Sequence, residues 1–391
     1  MDQFSHICDV DAEPLHRYRK GGYHPIGLGD LLKDGRYKIL HKLGWGGYST
    51  VWAARDRREQ RYVTVKISVS ERGERNREFK VLRAIAAIRP EQPGSRHLMP
   101  MLDHFQLDGP NGTHDCLVLE LLGPSVPDLL DARFRGERLP GKLAKSIAKQ
   151  ALLGLDYLHQ QNIGHGDLHT RNLIFTIPPI HSLREEEFFQ KLGKPETGLL
   201  RRNDGKPLEP GMPKYLVRPT SYPAVLSSFH PIKIVDFGES FLSNDIPDTL
   251  HTPLPVRAPE IIFGDKLDHR VDLWSMGCML FELVVGQPPF DSFMTTPTIL
   301  ARQMLEMVSD ELPERWQETW RAMDSASRGE KSGYTLQEWL EEMYFDGERN
   351  EDLTRKDILK VGELVRKMLR FEPSMRASAR EILQDSWFKR E

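Results

Sequence analysis

The chain has 391 residues, more than one ordinary core accommodates, so two packed units are expected. Its 54 Lys and Arg nearly balance 57 Asp and Glu, which leaves no broad basic field and argues against direct nucleic-acid binding. No apolar run approaches the roughly 20 residues of a membrane span, MDQFSHICDV lacks the features of a secretory leader, and Cys8, Cys116 and Cys278 fit neither a disulfide framework nor a zinc cluster; a soluble protein of a reducing compartment, with no membrane partner, is expected.

Residues 1–36 are polar and rich in Gly and Asp, and include Tyr18-Arg-Lys-Gly-Gly-Tyr-His-Pro25; they read as an extended arm with little core. From Tyr37 short strand patterns follow, YKILHKL, STVWAARD and RYVTVKISV, which make a small antiparallel sheet. Residues from about 71 to 88 read as a helix with Glu78, Leu82 and Ile85 on one face, and CLVLELL at 116–122 as a buried strand. Gly123-Pro124 marks the end of this unit, 37–122. The second unit, 123–391, begins with KLAKSIAKQALLGLDYLHQQ, where Ile147, Ala151, Leu155 and Leu158 recur at helical spacing. Residues 176–229, with many prolines and the run Glu185-Glu186-Glu187, read as a surface insertion of that unit. PIKIV then reads as a strand, and VDLWSMGCMLFELVVG, apolar on nearly every side, as a central buried helix.

Several segments carry chemistry. Gly44-Trp45-Gly46-Gly47-Tyr48-Ser49 lies between two strands, where glycines let backbone amides approach an anion; alone, such a segment is more often a plain hairpin turn. Lys66, on the third strand, can reach phosphates beneath such a loop if a partner holds its ammonium, and Glu78 on the following helix is the candidate, with Glu74 as a nearby acid. Further on, His165-Gly-Asp167-Leu-His169-Thr-Arg-Asn172 places a carboxylate and an amide five residues apart. Asp167 can accept the proton of an attacking hydroxyl, while the amide oxygen of Asn172 and the carboxylate of Asp236, in Asp236-Phe-Gly238, are hard ligands for Mg2+.

Together with Ala258-Pro-Glu260, Asp272-Leu-Trp-Ser-Met-Gly277 and Arg376, these segments resemble the eukaryotic protein kinase domain over residues 37–388. The stretch YRKGGYHPIGLGDLLKDGRYKILHKLGWGGYSTVWAARD and the long insertion are similar to SR-protein kinases. The resemblance implies an α+β bilobal kinase fold: a small antiparallel sheet with one helix in the N-lobe, a mainly helical C-lobe, and ATP with Mg2+ in the cleft between them. It makes Asp167 the catalytic base, with Lys66, Glu78 and His169 beside it in the catalytic set. Leu43, Gly44, Trp45, Gly46, Gly47, Tyr48, Ser49, Val51, Lys66, Glu120 and Leu122 become the ATP-binding set, and Asn172 and Asp236 the metal ligands. It pairs Glu260 with Arg376. It further implies a monomeric serine/threonine kinase of cytoplasm and nucleus, acting on arginine-serine-rich splicing factors, with an insertion that governs localisation and partner binding.

Some positions depart from the pattern. His169 stands where kinases usually carry a lysine, and Pro253 where they carry a threonine that joins this lysine to the catalytic Asp. Losing such a contact costs about 2 to 4 kcal/mol of transition-state stabilisation. Ser49 replaces a glycine, Thr64 an alanine, and Gly166 the arginine that meets an activation-segment phosphate, so Thr249 and Thr252 are not expected to be obligatory phosphosites. The segment Asp291-Ser-Phe-Met-Thr-Thr-Pro is less acidic than an arginine-docking groove requires; acids come later, at Glu306, Asp310, Glu311 and Glu314. Two other readings stay open: a pseudokinase that binds nucleotide or a partner, and a small-molecule phosphotransferase, whose catalytic loops share the His-Gly-Asp-Leu-His wording.

Overall fold

The computed structural model describes residues 6–71, 77–87, 92–221, 231–290, 294–324 and 333–389. Its contacts divide the chain into two units. One comprises Met1–Ala87, Met99–Pro124 and Thr176–Ser227, the other Ile88–Leu98, Ser125–Phe175 and Ser228–Glu391.

The first unit is built on a six-stranded antiparallel sheet, in the spatial order Leu31–Leu32, Tyr37–Gly46, Ser49–Asp56, Arg61–Ser68, Gly112–Glu120, Met101–Gly109. Side chains alternate across a strand, so Val63, Val65 and Ile67 share one face with Trp52, Ile39 and Val118 in a buried core. Tyr62, Thr64 and Lys66 take the other face. The edge strand Met101–Gly109 was not expected from sequence, because Asp103, His104, Gln106 and Asp108 leave it too polar to stand out. The helix Arg77–Ala87 carries Glu78, Val81 and Leu82 inward, with Ile85 only half-buried; residues 72–76 and 88, where the expected helix also ran, and Glu74 among them, lie outside the described residues.

Two expectations are corrected here. The arm does build core: Val10, Tyr18 and Tyr23 are buried with Val69 and with Leu200, Met212 and Leu216 of the insertion, and His6–Ile7 pairs with Arg201–Arg202. The amino group of Lys42 and the carboxylate of Glu13 meet as a fully buried ion pair. The insertion, in turn, groups with the first unit and not the second. Its helix Glu185–Leu192 places Phe188 and Leu192 against Leu40, Ala53 and Tyr62, with the rings of Phe188 and Tyr62 stacked at 4.2 Å. Thr197–Leu199 pairs with Tyr215–Val217 in a further small ladder; residues 222–230, the expected end of the insertion, lie outside the described residues.

The second unit is mainly helical, as expected. Gly141–Gln160 and Val271–Val285 are the two long core helices, and 14 of the 15 residues of Val271–Val285 are buried. That helix stops at Gly286, whose φ of 93° is left-handed and costs little without a Cβ. Around them lie Val126–Arg133, Pro297–Met307, Glu314–Asp324, Leu336–Tyr344 and Arg355–Met368. Two short ladders, Leu173–Phe175 with Ile232–Ile234 and Ile163–Gly164 with Phe241–Leu242, frame the loops that carry Asp167, Asn172 and Asp236. Among the described residues no helix is long and apolar enough to cross a membrane.

Candidate active site

In the first unit the glycine-rich segment forms the tight end of a hairpin, with Gly46 opposite Ser49. Trp45 and Tyr48 stand out from it, 43% and 49% exposed, while Ser49 is buried. A Cβ added at Gly44, Gly46 or Gly47 would meet nothing within 4 Å, so the side of the turn that a side chain would occupy is open. Lys66 lies opposite Val51 in the sheet, and its ammonium donates to Glu78 Oε1 at 2.7 Å. Glu78 is 3% exposed, so this is a buried, charge-assisted contact that fixes where the cation sits. Thr64, Leu119 and Leu122 are buried nearby in sequence and register, with Leu43, Val51 and Glu120 half-buried.

In the second unit the loop between the two ladders is held from several directions. Asp272, at the start of the helix Val271–Val285, accepts from the backbone amides of His165 at 2.7 Å and Gly166 at 2.8 Å, and from the His159 ring at 3.0 Å. These donors hold its carboxyl below the usual range against a burial that pushes the other way. His165 has one consistent tautomer: Nε2 donates to Val235 O at 3.0 Å, and Nδ1 accepts from the Asp167 amide at 3.3 Å. Ser240 donates to His165 O at 2.8 Å, which ties this loop to the one bearing Asp236.

Asn172 donates through Nδ2 to Asp167 O at 2.8 Å and Oδ2 at 3.3 Å. With the amide nitrogen so committed, Oδ1 is the side chain's remaining acceptor. Asp167 Oδ1 is buried and has no hydrogen-bond partner among the described residues. His169 Nε2 lies 3.6 Å from Asp167 Oδ2, beyond hydrogen-bond reach but close enough for a charge to act. Asp236 follows the strand Ile232–Ile234 in a left-handed conformation, φ 60°, and Gly238 N donates to its Oδ1 at 3.3 Å.

Gly166 has φ 78°, and a Cβ there would come within 2.6 Å of Glu239 O, so the missing arginine is excluded by backbone geometry. Thr252, not Pro253, supplies the hydroxyl that reaches this loop, donating to Gly166 O at 2.6 Å from a side chain only 1% exposed. Sequence reasoning looked one position further on, at Pro253, and so missed it. Glu260 and Arg376 form the expected pair, two parallel bonds of 2.6 and 2.7 Å, fully buried. Of the acids considered for a docking groove, Asp310 is already bound by Arg370 at 2.6 Å; Asp291, Ser292 and Phe293 lie outside the described residues.

Comparison with known proteins agrees with this geometry. The protein kinase domain profile matches residues 37–181 and 224–388, leaving out most of the insertion. A serine/threonine protein kinase of Aspergillus fumigatus is 30% identical over 97% of this chain and 90% of its own length. The serine/threonine-protein kinase SRPK of Physarum polycephalum is 30% identical over 97% of this chain and 91% of its own. SRSF protein kinase 3 of Homo sapiens is 35% identical over 48% of this chain and 34% of its own. A small-molecule phosphotransferase is thereby set aside: full-length likeness of this kind, with the buried Glu260 and Arg376 pair, means that the chain belongs to the protein kinase domain family and is a serine/threonine protein kinase of the SRPK type.

Proposed function

We propose that this kinase transfers the terminal phosphoryl group of ATP to serine hydroxyls in arginine-serine-rich proteins, with Asp167 as the base. The observation that supports the reading is the placement of the Asp167 carboxylate by Asn172, which leaves Oδ1 as an acceptor without a hydrogen-bond partner among the described residues. The serine oxygen bonds to the γ-phosphorus as the bond to the bridging oxygen breaks; ADP leaves, and the hydroxyl proton passes to Asp167. Lys66, oriented by Glu78, pairs with phosphate oxygens, and the open glycine turn offers its amides to the same groups.

Protein kinase domains use ATP and Mg2+ generally, and the residues present fit that ion. Asn172 Oδ1 and the Asp236 carboxylate would hold it as two hard oxygen ligands, too few for a closed cage and of the kind that Mg2+ takes. Among the described residues no group of three or more His, Cys, Asp and Glu side chains forms a tighter site. Held there, the ion would neutralise phosphate charge.

The substrate class is supported by the relatives, one of which is named an SRSF protein kinase. On the same likeness we propose an enzyme of cytoplasm and nucleus that acts as a monomer. The deciding experiment offers γ-labelled ATP with arginine-serine, acidic and proline-directed peptides. Arginine-serine labelling, reduced about 100-fold or more by Asp167→Asn, is expected. Nucleotide binding with no peptide labelled would mean that the fold is retained without the transfer.

A further inference from the structure

We propose that Tyr23 and Arg17, in the arm ahead of the sheet, are positioning residues for the triphosphate, because they set the orientation of two peptide groups at the tip of the glycine-rich turn. The proposal rests on reading that turn as the phosphate-binding element.

Beyond the ladder pairing of Gly46 with Ser49, the turn has little of its own to hold it. Gly46 and Gly47 carry no side chains, no atom lies within 4 Å of where a Cβ would stand, and glycine explores more backbone conformations than any other residue. What holds it comes from outside. The Tyr23 hydroxyl donates to Gly46 O at 2.7 Å, and the Arg17 guanidinium donates to Gly47 O.

A trans peptide is planar, so its N–H points opposite to its C=O. Fixing Gly46 O therefore aims the N–H of Gly47, and fixing Gly47 O aims the N–H of Tyr48. These are the donors that a phosphate takes from such a turn.

The anchors are stiff where the turn is soft. Tyr23 is 1% exposed and packs edge-on against Tyr18 at 5.6 Å. Asn111 Nδ2 donates to Tyr23 O at 2.7 Å and to Gly211 O of the insertion at 2.9 Å. The Arg17 guanidinium lies 5.5 Å over the Tyr23 ring and 3.6 Å from Glu71. The arm, tied to the insertion through Asn111, thus forms a packed seat for these two carbonyl oxygens.

The test uses the full chain with Tyr23→Phe, which keeps the ring and removes only the donor, and Arg17→Gln as a second variant at a more exposed position. Dissociation constants for ATP and for adenosine are measured together with KM for ATP and for peptide. Loss of one hydrogen bond should raise Kd and KM for ATP about threefold to tenfold in either variant, with adenosine binding and peptide KM unchanged. Equal weakening of ATP and adenosine would reveal a merely structural role and overturn the proposal, as would variants that bind ATP like the unaltered chain. Failure of the unaltered, folded chain to bind ATP would instead remove the phosphate-binding reading, and the proposal with it.

Discussion

Thr252 donates its hydroxyl proton to the carbonyl oxygen of Gly166 at 2.6 Å, and so binds the segment before Ala258-Pro-Glu260 to the loop that carries Asp167. Thr252→Val keeps the shape and strands a buried carbonyl, at a cost of about 1 to 3 kcal/mol. A thermal midpoint several degrees lower and a kcat about tenfold lower are expected, with Thr252→Ser restoring both. The same burial, 1% exposed, keeps the hydroxyl from a modifying enzyme. Phosphatase-treated protein should keep full activity; loss of activity that an upstream kinase restores would contradict this.

His169 occupies the neighbourhood of Asp167, with Nε2 3.6 Å from Oδ2, and reaches it without a hydrogen bond. A lysine there carries a permanent charge on a longer, flexible stem and can touch both the carboxylate and the transferring phosphoryl. His169→Lys is therefore expected to raise kcat by about tenfold, while His169→Ala lowers it. Steady-state rates on one peptide at saturating ATP check the order; a lysine variant slower than the parent would show that the imidazole has a task of its own.

His24 is a buried base with no good place for a proton. Burial, and to a lesser degree the His114 ring 4.9 Å away, lower its pKa from 6.5 to about 4, and burial lowers that of His114 too. His24 Nδ1 and His114 Nε2 have no hydrogen-bond partner among the described residues. Above pH 6.5 His24 is neutral whether folded or unfolded and costs nothing. Between 6.5 and about 4 the unfolded chain takes up a proton that the folded chain refuses, so stability falls as pH falls. The loss from His24 reaches at most about 3 kcal/mol near pH 4. Denaturant midpoints across that window should drop steeply for the parent and less for His24→Phe, a result absent if the ring titrates normally.

The parts of the site that were legible in the sequence are those in which a short motif sets its own geometry. Lys66 and Glu78 sit on adjacent elements and meet at 2.7 Å, and the five-residue spacing of Asp167 and Asn172 closes one loop on itself. Glu260 and Arg376 were paired by family likeness rather than by pattern, since 116 positions separate them. The arm and insertion were misread for a physical reason: Val10, Tyr18, Leu200, Met212 and Leu216 follow no helical or strand period, and become a core only when distant segments fold together. Asp272 was visible only as part of a motif; nothing local tells that its carboxylate caps two amides more than 100 residues away.

That tertiary core makes the insertion a structural part of the first unit, and Phe188 is where this can be measured. Its side chain is fully buried between Tyr62, stacked at 4.2 Å, and the apolar positions Leu40 and Ala53 of the sheet. An insertion lying loosely on the surface would tolerate Phe188→Ala with little change. A ring buried in a sheet-bound cluster loses its transfer energy and leaves a cavity, about 3 to 5 kcal/mol for Phe to Ala. Calorimetry of the variant should show a thermal midpoint lowered by several degrees, and Phe188→Leu, which refills part of the volume, should lie between the two. Because Tyr62 and Lys66 belong to the same strand, Arg61–Ser68, the destabilised variant should also lose ATP affinity before it unfolds.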